Sequence, residues 1–282
     1  MRIALFADIH GKILLPFRLA DLYQQQTGRR IDLILQCGDI GLFPHLEKLD
    51  RATIKHAKRD RDELGFHDQF VHPQQETGKF LERLNLRMIC VRGNHEDHDW
   101  LDEKEKACGD DPAFPVDCYE KVWVCKSGRA QEFRSGEEVL KFIGIGRIGD
   151  RKGRDEKAFI QEYERLALKK LLRTKDSFDV LITHDKEPDD PGYGMPEIAQ
   201  VLDRMIVQYH FYGHTGRPFT QRLHDNGITQ CVKIKELEFS DSGILPPGCM
   251  VLLEKDRAGN MTIEAAPQQL TNQLTRHNWK FL

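Results

Sequence analysis

Five short stretches of the sequence carry side chains that can hold a metal or move a proton: Asp8-Ile9-His10, Gly38-Asp39, Gly93-Asn94-His95-Glu96, His184-Asp185 and Gly213-His214. Imidazoles, carboxylates and a carboxamide oxygen suit borderline divalent ions such as manganese, iron, zinc or cobalt, and no thiolate joins the set. Asp8 and His10 stand two apart, so an extended backbone would turn both to one face. Asp39 in a turn after Gly38 could offer one oxygen to each of two ions, with Gly38 permitting close backbone approach. Asn94 and His95 are adjacent and cannot easily face one ion as equivalent ligands, which leaves one of them free for another task. Each stretch taken alone is a weak signal, because turns use the same residue types.

The stretches gain weight from what precedes them. Ile3 to Ala7, Ile31 to Cys37, Leu86 to Val91, Val180 to Thr183 and His210 to Tyr212 read as short buried strands, and each ends in an Asp, Asn or His. Segments of helical length and spacing separate them: Leu14 to Gln26, Gln75 to Leu84, Arg154 to Arg173 and Met195 to Arg204. Strands alternating with helices give an α/β layered fold, in which residues beyond the carboxyl ends of neighbouring strands converge on one crevice. Residues 119 to 146 read as further strands, and a hairpin is predicted across Ala258-Gly259-Asn260. Residues 43 to 73 interrupt the alternation as a charged insertion with four His (45, 56, 67 and 72), predicted to be a solvated helical excursion placed to cap the crevice. Asp97 and Asp99 fit the acidic first turn of a helix, and Glu96 could orient loops.

A chain of 282 residues, 39% hydrophobic and 31% charged, can bury a full core as one domain spanning 1–282. Its net charge of -3 and pI near 6.5 exclude a global field for nucleic acid or anionic membranes. Seven scattered Cys without a C-x-x-C pair argue against a structural zinc and for a reducing cytoplasm. No stretch reaches the ~20 apolar residues of a membrane span, and the N-terminal apolar run is too short for a signal-peptide core.

In order and context, "ADIH", "CGDI", "VRGNHE", "ITHD" and "YGHTG" resemble the five sequence blocks of the calcineurin-like metallophosphoesterase superfamily, from residue 3 to about 217. The resemblance implies a two-sheet β sandwich flanked by helices, with a dinuclear metal site at the strand C-terminal ends. Asp8 and His10 would bind a first ion, Asp39 would bridge, and Asn94, His184 and His214 would complete the shell of the second. His95 would face the substrate and protonate the leaving oxygen. The ions would be manganese or iron, with zinc, cobalt or nickel as further candidates. Two ions ~3.5–4 Å apart can share and activate a water for direct attack on phosphorus. Arg92, Arg147, Lys186 and Arg217 are candidates for holding phosphate oxygens.

One departure stands out. Most phosphodiesterase members end this last block with G-H-x-H, whereas here Gly216 occupies the final position, leaving the first ion fewer protein donors. On an extended segment residue 216 would face that ion, and a His placed there would tighten it, unless the glycine has a positive φ. The layout from Gly93 onward resembles lariat-debranching and nucleotide-phosphodiesterase branches, so the expected activity is hydrolysis of a phosphodiester of nucleotide or nucleic-acid type. The alternatives are a phosphomonoesterase or serine/threonine-type protein phosphatase, for which the G-D-x-x-D-R-G block is missing, and a non-catalytic binding protein that keeps the fold.

Overall fold

A computed structural model describes residues 1–150, 152–154, 156–189 and 193–281 of the chain. Apolar residues at alternate positions build two sheets that bury both of their faces. A seven-stranded sheet has β1 (Arg2–Phe6), β2 (Leu33–Gln36), β3 (Met88–Cys90) and β5 (Val122–Cys125) in parallel. Antiparallel β4 (Ala113–Pro115) closes one edge, and β12 (Val251–Lys255) with β13 (Met261–Ala265) closes the other. The second sheet has six strands, with β7 (Glu138–Ile145), β8 (Ser177–Thr183), β9 (Ile206–Tyr212) and β11 (Gln230–Lys233) in parallel. Antiparallel β6 (Ala130–Ser135) and β10 (Thr220–Leu223) flank it.

The pleat sorts the side chains into layers, since successive residues of a strand point to opposite faces. Ile3, Leu5, Leu33 and Leu35 meet Phe142, Val180, Ile182 and Phe211 between the sheets. Ala4, Phe6 and Ile34 turn the other way, against the helices that cover the first sheet. Those helices are α1 (Leu14–Thr27), α4 (Gln75–Leu84), α5 (His98–Ala107) and the short α8 (Gln268–Thr271). Ile143, Ile145 and Leu181 pack against α6 (Glu162–Leu171) and α7 (Pro196–Arg204) on the far side of the second sheet. The fold is therefore α/β, a two-sheet sandwich with helices on both outer faces. Truncating a fully buried aromatic such as Phe142 to Ala would cost ~3–5 kcal/mol.

One helical expectation is corrected and another is met. The segment 154–173 is helical only from Glu162, because Ile148 pairs with Phe159 in a parallel bridge and Glu164 accepts the backbone N–H of Gln161 at 2.9 Å, starting the helix there; residue 155 lies outside the described residues. Helix α5, expected from Asp97 and Asp99, begins with Asp97 accepting from Trp100 N at 3.2 Å.

Residues 43–73 hold two 3-10 turns and the helices α2 (Arg51–Ala57) and α3 (Gly65–Gln69). The segment is tied down: Phe66 and Phe70 enter the core, and the buried Lys12 ammonium lies 3.6 Å from Glu63 and 3.8 Å from Asp60. Its outer His45, His56 and His72 are exposed, and His67 pairs with the Pro44 carbonyl at 2.8 Å. No helix among the described residues is long and apolar enough to cross a membrane.

Candidate metal centre

The carboxyl ends of β1, β2 and β3 in one sheet and of β8 and β9 in the other open at the same end of the sandwich, and the loops leaving them are hydrogen-bonded to each other. Asp8 N donates to Gly38 O at 3.1 Å, His10 N to Asp39 O at 3.0 Å, and Gly213 N to His184 O at 3.1 Å. Asp8, His10, Asp39 and His214 all have positive φ, 48°, 39°, 52° and 65°. Such backbone is held only when its surroundings over-determine it, and it gathers where side chains must be aimed.

Asp39 is the centre of the arrangement. Its Oδ1 accepts Asn94 N at 2.7 Å and His95 N at 2.9 Å, and lies 3.2 Å from His184 Nε2. Gly93 has no alternative beside it, since a Cβ there would stand 2.0 Å from Asp39 Oδ1. Glu96, fully enclosed, accepts Ile40 N at 2.9 Å and Gly93 N at 3.3 Å through Oε1 and Leu42 N at 2.7 Å through Oε2. It pins the loop after β2 to the loop after β3. Burial and the charge of Asp39, partly offset by these amides, raise its carboxyl to about 7.

Two donor groups result, each with its candidate ligand atoms within 4.8 Å of one another: Asp8, His10 and Asp39, and Asp39, His184 and His214. Asp39 belongs to both. Asn94 joins the second, with Oδ1 3.1 Å from His184 Nε2. The His184 ring is held by its Nδ1 donating to the Cys37 carbonyl at 2.9 Å, which turns the lone pair of Nε2 inward. Nε2, the Asn94 oxygen and Asp39 Oδ1 are then three acceptors converging at hydrogen-bond distance, and only a cation satisfies them. Without a metal a proton serves: burial would lower His184, but Asp39 and Asp8 outweigh it and raise the ring to about 9. Burial, more than the neighbouring Asp39, lifts the Asp8 carboxyl above its usual range. The donor set therefore fits divalent ions.

His95 points elsewhere. Its Nδ1 pairs with Asp50 Oδ2 at 2.7 Å, and Asp50 also caps α2 through Thr53 N at 2.8 Å. Burial would lower the imidazole; the Asp50 hydrogen bond, with the charges of Asp39 and Asp50, prevails and raises it to about 9. The Asp50 contact thus favours the protonated ring. Asp50 escaped the sequence reading because it sits in a charged insertion, 45 residues from its partner. A cavity of about 400 Å³ lies in front of these groups, bounded by Thr53, His56 and Glu63 of the insertion and by Glu236 and Glu238.

The four cationic candidates separate. Arg92 and Arg147 do not face the crevice, which corrects the sequence reading: both guanidiniums are buried in a network with α5 and α6. Arg92 holds Asp102 and Glu105 at 2.5 Å each. Arg147 holds Asp102 at 2.7 Å, Glu164 at 2.9 Å and the Tyr163 hydroxyl at 3.0 Å. Carboxylates on the covering helices offer these long side chains a charge-satisfied interior, and they turn towards it. Lys186 and Arg217 do line a second cavity beside His214. Gly216 is corrected too: φ is +65° and a Cβ would stand 3.3 Å from Glu236 Oε1, so residue 216 is in a turn and not on an extended segment.

The sequence profile of the calcineurin-like phosphoesterases matches residues 1–218. The chain belongs to the calcineurin-like phosphoesterase family. Family members bind divalent metals in a dinuclear site, to which the two donor groups correspond. Among solved structures, TT1561 of Thermus thermophilus is 15% identical with a TM-score of 0.52, over 94% of this chain and 99% of that one. A phosphatase from Mycoplasma pneumoniae is 13% identical with a TM-score of 0.50, over 94% and 92%. At such identities the likeness concerns the fold alone. No curated protein sequence matches the chain.

Proposed function

We propose that this calcineurin-like phosphoesterase is an active metal-dependent hydrolase acting on a phosphodiester of nucleotide or nucleic-acid type. The observation that carries the proposal is the membership of Asp39 in both donor groups while the neighbouring His95 is held out of them by Asp50. Asp8, His10 and Asp39 would hold one ion, and Asp39, Asn94, His184 and His214 the other. Bound divalent ions activate water and neutralise phosphate charge. Manganese or iron suits these O and N donors, as do zinc, cobalt and nickel.

The chain's own residues supply the rest. His95, charged at neutral pH, donates its proton to the departing alkoxide, a contribution of ~10²–10⁴-fold for a well-placed acid. Asp50 fixes the ring and holds the proton on it until transfer. Residues 43–73 act as a cap within a single 1–282 domain, since Ala52, Thr53 and Glu63 line the cavity and exclude water from one side. A cytoplasmic setting is supported by seven cysteines that are all free, five of them buried.

The test compares bis-p-nitrophenyl phosphate with p-nitrophenyl phosphate on manganese-loaded protein. Preference for the diester, together with loss in His95→Ala of turnover of a dinucleoside monophosphate with both ions still bound, supports the reading. Faster turnover of the monoester makes the chain a phosphomonoesterase, and inertness on both overturns the enzymatic reading.

A further inference from the structure

The second cavity, about 410 Å³, meets the first along His214 and Thr215 and is lined by more cationic side chains. The cavity in front of His95 is rimmed by Glu63, Glu236 and Glu238. Arg154, Lys186 and Arg217 face the second. Among the described residues its carboxylates are already engaged: Asp185 accepts Lys186 N at 2.8 Å and Gly149 N at 2.9 Å, and Asp189 pairs with the Lys186 ammonium. Arg154 lies 4.1 Å over the Phe159 ring and 3.3 Å from Asp150. Arg217 makes no hydrogen bond or close ion pair among the described residues, and the Asp189 carboxylate, near enough to feel its charge, is held by Lys186, so its N–H donors are open to a ligand. Thr215, on the wall between the cavities, has an Oγ1 shielded from solvent and equally without a partner among the described residues.

A free guanidinium presents paired N–H donors that match phosphate oxygens, and an unsatisfied hydroxyl beside it supplies one more. Loss of a buried hydroxyl's partners is costly, so Thr215 favours an occupant with acceptors. With the scissile phosphate held at the ions, the glutamates on the rim of the first cavity disfavour a second anion there, and Arg217 makes the second cavity the better place for it. Ile148 and Phe159 add apolar surface to its wall.

We propose that this cavity is a second phosphate subsite. It takes the phosphoryl group adjoining the scissile one in a nucleotide substrate phosphorylated at both its 3′ and 5′ positions, with Arg217 as the principal contact. The assignment rests on the phosphodiesterase reading for the position of the scissile phosphate only. Binding of thymidine 3′,5′-bisphosphate and of thymidine 5′-monophosphate is measured by calorimetry on manganese-loaded His95→Ala protein, which suppresses turnover. The readout is the ratio of the two affinities. A charge-assisted contact of this kind predicts a bisphosphate preference of ~10–100-fold. The preference should collapse in Arg217→Ala, be partly kept in Arg217→Lys, and shrink in Thr215→Val. Equal affinities in the parent, or a preference unaffected by Arg217→Ala, overturns the subsite. Hydrolysis of bis-p-nitrophenyl phosphate by the protein with His95 intact reports separately on the phosphodiesterase reading. Activity without a bisphosphate preference refutes the subsite alone, and a preference without activity refutes only the enzymatic reading.

Discussion

Replacing Asp50 by Asn separates the two tasks of that residue. Asn is as good a helix cap as Asp, so the bond to Thr53 N and the start of α2 should survive. The 2.7 Å contact to His95 Nδ1 loses its charge. A hydrogen bond between charged partners contributes ~1.5–3 kcal/mol, and both side chains here are about three-tenths exposed, which places this pair at the low end. The expected loss in kcat is therefore ~10–30-fold on a substrate whose leaving group needs a proton. The sign with pH follows from the raised imidazole. His95 is charged below about 9 and loses its proton as pH rises through that value; without Asp50 it falls back towards its ordinary 6.5. The alkaline limb of the kcat profile should move to lower pH, so the deficit is larger at about pH 8 than at about pH 6. The assay follows kcat against pH for a dinucleoside monophosphate and for bis-p-nitrophenyl phosphate, whose nitrophenolate departs unaided. Equal losses on both substrates, or an unmoved alkaline limb, would refute the role of Asp50 in holding the proton on His95.

Three more outcomes are expected. Asp39→Asn keeps acceptors for Asn94 N and His95 N but removes the charge common to both donor groups, so metal titration should find both ions weakened together; loss of one alone refutes bridging. Gly216→His should cost ~1–2 kcal/mol in thermal unfolding, from a left-handed backbone and contact with Glu236, and should leave manganese affinity untightened; tighter binding would mean the turn re-forms as an extended segment. His210, enclosed and 2.8 Å from Thr183 Oγ1, is held down to about 3 by burial and by His224, so it contributes stability above about 6.5 that is lost as pH falls towards 3. Urea unfolding of His210→Gln should lose up to ~1.4 kcal/mol per pH unit of that acid slope, and an unchanged slope would show His210 charged in the folded state.

Local pattern along the chain was enough to set the layers and the strand ends that carry the candidate ligands, while the choice of Asn94 over His95 as a ligand came with the resemblance to the calcineurin-like phosphoesterases. Strands buried on both faces must be short runs of apolar residues, and the polar groups that end them have only the crevice to enter, so Asp8, His10, Asp39, Asn94, His184 and His214 are legible from their neighbours in sequence. Glu96 and the acidic start of α5 were readable for the same reason, because a turn or cap is decided within a few residues. Whether a long cation reaches solvent or a buried carboxylate was left to packing: Arg92 and Arg147 follow strand ends as promisingly as any ligand, yet α5 and α6 bring Asp102, Glu105 and Glu164 to them. The pairing of Asp50 with His95 likewise exists only because the insertion folds back over the crevice. The sign of φ at Gly216 is set by the turn that carries Thr215 N to Gly213 O at 2.8 Å. Direction of side chains and sign of a dihedral depend on what packs against them, and residues distant in sequence supply that.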